Sequence, residues 1–492
     1  MKRLLRPCYD QHVLFQTTFD ELLPAEHPAR FVRDFVAALP LKDYGIMPPS
    51  LSGPGSPPYD PAMLLAICLY GYLERIRSSR QLEKACYNQI GCLWLAGQLH
   101  PDHNTFANFL KDHRASFKQI FRDLTKVAHR MGLIALVLHA IDGTKIAAAC
   151  SKERALHQNT LAETLQTVDA ALEEIQAQMA RNDTAEADLL VSLPAELMET
   201  KARKAQIEAA LATLEEAGTK HLHPQEPEAR MMKCRNGSFP MGYNAQVAVD
   251  EQHGLIVAED VVNAECDNYQ LLPMLDQVQE TLGRVADETT ADGGYFAGDQ
   301  LQGAEAQGYP VLMNLNGVGA STAAEGYQKA DFTWDADQQQ YICPCGQVLP
   351  FLKRKAKKRT NGQPYQVEIY QCRHCAGCSV HEICTKSRTG RSIERTAYDD
   401  VVERQRAKQA DPAKAALLKR RGAIVERIFA VIKGPLDFRR WTVAGLTAVR
   451  TQWSFICLTY NLKVLCQLWR DGRFDLTQFG ILIRQVAKPV PS

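Results

Sequence analysis

Leu133-Ile134-Ala135-Leu136-Val137-Leu138-His139-Ala140-Ile141-Asp142-Gly143-Thr144-Lys145 is the stretch on which the fold turns. Leu133 to Ile141 is dense in Leu, Ile and Val and too short for a typical helix. It reads as a buried strand ending at Asp142. Gly143 permits a sharp turn after it. A second acidic residue, Asp292, stands in Thr290-Ala291-Asp292-Gly293-Gly294-Tyr295, after a short strand over Asp287 to Ala291. A third, Glu426, stands in Ile424-Val425-Glu426-Arg427-Ile428-Phe429, which reads as helix and is followed by Lys433.

Working outward, Tyr243 to Val249 and Leu255 to Val262 form a hairpin closed by the turn Asp250 to Gly254. Asn268 to Leu282 is an amphipathic helix and Pro310 to Met313 another apolar strand. This alternation predicts an α/β core with insertions. The chain before it is helical. Asp60 caps a helix from Pro61 to Tyr72, Ser78 or Ser79 starts the next, and Asn104 or Thr105 caps a third. From Leu161 to Gly218, apolar residues recur at helical spacing (Leu165, Val168, Leu172, then Ile207, Leu211, Leu214), with breaks at Asn182-Asp183 and Pro194. That predicts a helical hairpin. After a charged linker near Arg404 to Lys414, helix resumes from Ala415 to about Leu468.

The 492 residues carry a net charge of +1, with 46% hydrophobic and 23% charged residues, ordinary values for a globular protein. The average hides an asymmetry. Leu161 to Gly218 holds 12 acidic and 4 basic residues, whereas Phe351 to Arg450 holds 23 Lys/Arg against 9 Asp/Glu. The second region would hold a polyanion and the first would repel it. The start, Met1 to Pro7, is basic without an apolar segment behind it, which predicts no signal peptide. The longest apolar run falls far short of a membrane span. These features place the protein in the cytosol. There, its 15 cysteines are expected as free core thiols or metal ligands rather than disulfides.

Two strand-end aspartates and a helix glutamate can converge on a pair of hard divalent cations. Phosphodiester cleavage needs an activated water or 3′-hydroxyl and charge relief on the leaving oxygen, and two metals about 4 Å apart supply both. Magnesium keeps several waters, so two or three carboxylates suffice, with Mn2+ as a substitute. Any one of these contexts is weak, because an Asp-Gly pair after a strand is most often a turn. The three together carry the reading.

Between Tyr341 and Arg391 lies a cysteine-rich module with Cys343-Pro344-Cys345-Gly346, Cys372-Arg373-His374-Cys375-Ala376-Gly377-Cys378 and Cys384. Pairs at this spacing suit zinc, and a ribbon reading selects Cys343, Cys345, Cys372 and Cys375. The alternative is a loose cluster of thiols. A zinc would replace a hydrophobic core that so small a module could not build. A basic loop, Lys353, Arg354, Lys355, Lys357, Lys358 and Arg359, would face phosphates. Trp441 and Trp453 read as core.

With these motifs the sequence resembles the DDE transposases of bacterial insertion sequences, in the subgroup with a cysteine-bearing segment before the glutamate. The resemblance rests on Tyr59-Asp60-Pro61, Ser79 to Glu83, Pro101 to Phe106, Asp142 to Lys145, Gly242 to Gln246, Ala291 to Tyr295, Val425-Glu426 through Lys433, Phe438 to Trp441 and Leu458 to Leu462. It implies a ribonuclease-H-like mixed sheet with two-metal chemistry on Asp142, Asp292 and Glu426. It implies DNA contacts from Lys433, from Arg421 near the family's signature arginine, and from Arg439 and Arg440. For zinc, the subgroup's pattern points to Cys343, Cys375, Cys378 and Cys384.

The implied organisation is a helical, DNA-binding domain over 1–130 and a catalytic core over 131–157, 224–340 and 396–470. A helical insertion takes 158–223, a zinc-ribbon-like basic insertion 341–395, and a tail 471–492. The expected partners are double-stranded DNA (the element's terminal inverted repeats and target DNA) and a second copy of the chain in a dimer or larger assembly. The protein would associate with the nucleoid when bound, and no membrane is involved. Three alternatives stay open: a nuclease of the same fold without strand transfer, a catalytically silent DNA-binding protein, and a zinc-dependent scaffold with the acidic hairpin as a protein-docking arm.

Overall fold

A computed structural model describes residues 18, 20–48, 57–151, 155–182, 193–216, 218–234, 237–315, 323–358 and 364–487. The Met1 to Pro7 start, Cys8, Asp183 and Arg359 lie outside the described residues. The chain divides into two compact units.

The first unit comprises Met1–Met131, Val431–Phe438 and Thr451–Ser492. It is helical, and its helix starts follow local chemistry. Asp60 accepts from the amide of Ala62 and Pro61 opens the helix Pro61–Leu73. Ser78 and Gln81 form a reciprocal capping box at Ser79–Asn88. For His103–Asp112 the cap is Asp102, which accepts from Thr105, rather than Asn104 or Thr105. The Asp102 carboxylate, two residues before Asn104, reaches the orphan amide of Thr105 and adds negative charge at the dipole's positive end. Aromatic rings fill the interior: Tyr72 and Phe117 stand edge-on to Phe455 at 4.6 and 4.9 Å, and Phe35 stacks on Phe479 at 5.2 Å. Phe455 and Phe479 come from the C-terminal helices Leu446–Arg470 and Leu476–Val486. The sequence reading instead grouped residues up to 470 with the core.

The second unit comprises Gly132–Ala430 and Arg439–Arg450. Its centre is a six-stranded mixed sheet in the order Arg230–Met231, Met241–Asp250, Leu138–Ala147, Glu288–Ala291 and Val311–Met313, with Ile256–Val262 also paired to Met241–Asp250. All ten residues of Met241–Asp250 are buried. The Leu138 strand runs antiparallel to Met241–Asp250 and parallel to Glu288–Ala291.

Asp142 does not end its strand, and Gly143 does not turn. The antiparallel pairing continues to Ala147, whereas the parallel pairing stops at Ala140, opposite Thr290. Between Ala140 and Ala147, where Arg440 bridges, the Leu138 strand therefore keeps one paired edge and one open edge. On the far side of the sheet, helix Asp399–Ala410 covers the Val311–Met313 edge. The Gln405 amide donates to the Val311 carbonyl at 2.9 Å and accepts from the Met313 N–H at 3.3 Å. That satisfies an edge that would otherwise stay open. The expected charged linker is thus helix almost throughout, since Pro412–Lys433 follows at once with Pro412 at its start.

The insertion is a hairpin of helices Gln158–Asn182 and Leu193–Glu216 around Val168, Leu172 and Ile207. Its ends are tied by a two-rung ladder, Leu156 to Leu222 and His157 to His221. Among the described residues no helix is long and apolar enough to cross a membrane.

Candidate active site

Asp142 lies in the Leu138 strand and Asp292 one residue past the end of the neighbouring parallel strand, at matched depth. Ala140 is in register with Thr290, and each aspartate stands two residues further on. Neighbouring strands are about 4.8 Å apart and side chains two residues apart share a face, so the register alone brings the carboxylates side by side. Arg421 joins them. Its guanidinium donates to Asp142 Oδ2 at 3.2 Å and stands 4.0 Å from Asp292 Oδ2. The Asp142 side chain is 6% exposed and that of Asp292 28%, so the pair opens to solvent on the Asp292 side. Asp142 Oδ1 accepts from the Gly143 amide at 2.8 Å. Asp292 Oδ1 caps the tight turn Gly293–Tyr295 by accepting from Gly294 at 2.9 Å.

Helix Pro412–Lys433 is laid along the sheet by its basic residues. Lys414 pairs with the buried Glu288 at the start of its strand, Arg420 with Glu251, and Arg421 with Asp142. From Lys414 to Arg421 is about 10 Å along a helix, close to the roughly 13 Å from Glu288 to Asp292 along a strand. Glu426 sits on the same helix and is exposed. Among the described residues no three His, Cys, Asp or Glu side chains stand close enough to hold a metal ion. The two aspartates are brought together, and Glu426 is not drawn in with them. Lys433 is the last residue of that helix. Arg439 and Arg440 are exposed, and Arg440 bridges Ala147 at the end of the strand that carries Asp142. Trp441 is buried edge-on to Tyr243 at 6.4 Å.

Sequence reasoning missed the residues on the other side of the Leu138 strand. Asp267 Oδ1 accepts from Lys145 Nζ at 2.9 Å, Asn244 Nδ2 at 2.7 Å and Gln246 Nε2 at 2.9 Å. The Tyr295 hydroxyl donates to Gln246 Oε1. Burial raises the Tyr295 phenol well above its ordinary pKa, reinforced by the negative charges of Asp267, Asp142 and Asp292, so the hydroxyl keeps the proton it donates. One signal was available. Asn244 and Gln246 are polar at alternate positions of an otherwise apolar strand, and buried amides need partners.

In the cysteine module the expected basic loop is a strand. Phe351–Lys358 forms one edge of a three-stranded sheet with Pro364–Gln371 and Ser392–Arg395. Lys353, Arg354, Lys355 and Lys358 are exposed and Lys357 half-buried. Arg354 pairs with Glu368 at 2.9 Å and Lys357 pairs with Glu394. The six cysteines line one enclosed pocket together with His374 and His381. Sγ of Cys343 accepts from the Gln347 amide at 3.2 Å and that of Cys375 from Arg391 at 3.3 Å. Burial pushes the Cys372 thiol up to about 11, which favours the protonated form.

The zinc set Cys343, Cys375, Cys378 and Cys384 finds no support, since among the described residues no three ligating groups stand close enough. The physical reason offered for a metal is also absent. The module has its own core of Phe332, Tyr341, Leu349, Tyr370 and Ile393, with Trp334 under the Arg395 guanidinium at 3.9 Å. The described cysteines are all unbridged.

Comparison with known families gives two matches. Residues 342–466 match a family described as "Transposase DDE domain", and residues 17–112 match one described as "Transposase domain (DUF772)". Over these two stretches, less than half of the chain together, it is similar to transposase domains. The first match contains Glu426, Lys433 and the cysteine module but neither aspartate. No curated protein and no solved structure gave a significant match.

Proposed function

We propose that this protein is a transposase that binds the ends of its own insertion sequence, cleaves DNA there by two-metal-ion phosphodiester hydrolysis, and transfers the freed 3′-hydroxyl ends to target DNA. The observation that carries the reading is the matched register of Asp142 and Asp292 beside the open edge of the Leu138 strand. Such a pair is a donor set suited to hard divalent cations, and the Arg421 guanidinium between them marks a place where positive charge is stabilised. The mixed sheet, with its antiparallel strand beside the central one, supports a ribonuclease-H-like core. Glu426, exposed on the helix that carries Arg421, would complete the ligand set by turning toward the two aspartates on metal binding. Bound Mg2+ would activate the attacking water or hydroxyl and relieve charge on the leaving oxygen.

In this reading Arg421, Lys433, Arg439, Arg440 and the basic strand Lys353, Arg354, Lys355, Lys357 and Lys358 meet phosphates. The N-terminal helical domain over 1–130 adds DNA contacts, and two chains hold two element ends. The test is cleavage of a plasmid carrying the element's ends in Mg2+ by Asp142→Asn, Asp292→Asn and Glu426→Gln. Each should lose at least 100-fold in rate with DNA affinity retained. Wild-type cleavage by all three would sink the proposal. Cleaved ends that never join a supplied target would reduce the activity to that of a nuclease.

A further inference from the structure

We propose that Asp267 is the positioning residue of this site, the anchor that sets the Leu138 strand and the Asp292 turn in place. The inference rests on the reading of Asp142 and Asp292 as the reacting carboxylates. Three donors from two strands end on one oxygen: Lys145 from the Leu138 strand, and Asn244 and Gln246 from its antiparallel neighbour. Lys145 is opposite Asn244 and Gly143 opposite Gln246, so these four positions share one face of the sheet. Asp142, one residue from Gly143, points to the other face. The Asp267 network therefore backs the strand directly behind Asp142.

Gly143 shows how tightly the network is set. A Cβ on Gly143 would lie 2.4 Å from Gln246 Nε2 and 2.7 Å from Asp267 Oδ1. The glycine is there for close approach, because its place is taken by the amide and the carboxylate behind it. Asp142-Gly143-Thr144-Lys145 thus reads as one device, with Asp142 facing the site, Gly143 leaving room for Asp267, and Lys145 neutralising it. The network also reaches the second carboxylate. Gln246 holds the Tyr295 hydroxyl, and Tyr295 ends the turn that Asp292 caps. A Cβ on Gly294 would lie 2.9 Å from Asp292 Oδ1 and 3.7 Å from Asp267 Oδ2. The Asp267 side chain is only 22% exposed and Lys145 14%, so this carboxylate serves the interior.

The chain Asp267–Gln246–Tyr295 joins strand to turn and sets the spacing between Asp142 and Asp292. A metal pair is sensitive to that spacing, because Mg2+ and Mn2+ demand near-octahedral geometry. The test uses the full-length chain with three variants: Asp267→Asn, Gly143→Ala and Asp142→Asn. Asp267→Asn keeps the shape and removes the charge that pairs with Lys145. Gly143→Ala pushes the network without touching a titratable group.

Both network variants should lower the rate of DNA cleavage at saturating metal by about 10- to 100-fold, in the range seen when outer positioning groups are lost. Both should weaken Mn2+ binding by calorimetry at least several-fold. Affinity for end DNA should stay within about twofold, and a Gly143→Ala chain that melts like the wild type should show the same pattern. The inference is overturned if both variants bind Mn2+ and cleave like the wild type while Asp142→Asn is inactive. It is overturned too if they lose DNA affinity and thermal stability in proportion to activity, which is the signature of a merely structural role. If Asp142→Asn cleaves normally, the underlying site reading is what fails.

Discussion

At the scale of single residues, the Asp142–Arg421 pair decides how the second unit tolerates change. Asp142 is nearly dry and Arg421 is 14% exposed, so neither charge is well served by water. Removing Arg421 takes its guanidinium away from a nearly dry carboxylate, and losing a charged hydrogen-bond partner in such a place costs about 1–3 kcal/mol or more. Arg421→Gln should therefore lower unfolding free energy by about that amount in a urea titration. Adding Asp142→Asn should restore part of it, because the double variant no longer holds a nearly dry carboxylate without the Arg421 cation beside it. Additive losses would mean that the two residues do not act as a pair.

Asp250 is a second such residue. Burial would raise its carboxyl, but the His139 imidazole and the amides of Gln252 and Leu136 hold it below the ordinary value. A depressed carboxylate contributes stability above its unfolded pKa of about 3.9 and loses it as pH falls through the lower folded value. Asp250→Asn should flatten the fall in stability below about pH 4 and change little at pH 7 in that slope. An unchanged acid limb by calorimetry would refute the assignment.

At the scale of elements, the basic strand Phe351–Lys358 has two readings that one experiment separates. Lysines on an edge strand discourage pairing with other chains, and they also suit phosphates. Replacing Lys353, Lys355 and Lys358 together by Gln should weaken binding uniformly across DNA sequences. It should also reduce the slope of log affinity against log salt by about one per lost phosphate contact. An unchanged slope leaves these residues as edge protection only.

Strands and helices were legible where the pattern was long. The Met241–Asp250 and Ile256–Val262 hairpin and the helices of the insertion followed from periodicity and turn residues. Asp142 was found, but its place in mid-strand was not, because strand ends are set by which neighbour stops pairing. Here the parallel neighbour stops at Thr290 and the antiparallel one continues. The turn chemistry of Asp-Gly pointed the wrong way, since Gly143 answers to Asp267 behind it and not to a bend. Asp267 itself lies in a loop with no strand or spacing signal, so only the fold could reveal it. The basic segment was read as a loop because charge obscured its alternation.

At the scale of the whole molecule, the acidic insertion is the separable part. Helices Gln158–Asn182 and Leu193–Glu216 carry their own small core, and the ladder at Leu156–Leu222 and His157–His221 holds their base closed. Paired strand ends sit about 5 Å apart, so a two-residue Asn-Gly turn can replace everything between His157 and His221 without moving the sheet. Loop shortening of this kind carries little entropic penalty and reduces the unfolded chain's freedom. The excised protein should melt within a few degrees of the full chain. It would also lose the stretch with 12 acidic against 4 basic residues, which repels polyanions. Its affinity for DNA of any sequence should therefore rise, and most strongly at low salt, where charge is least screened. Affinity that falls on excision, or a gain that is independent of salt, would instead make the hairpin a DNA- or partner-contacting arm rather than a repelling one.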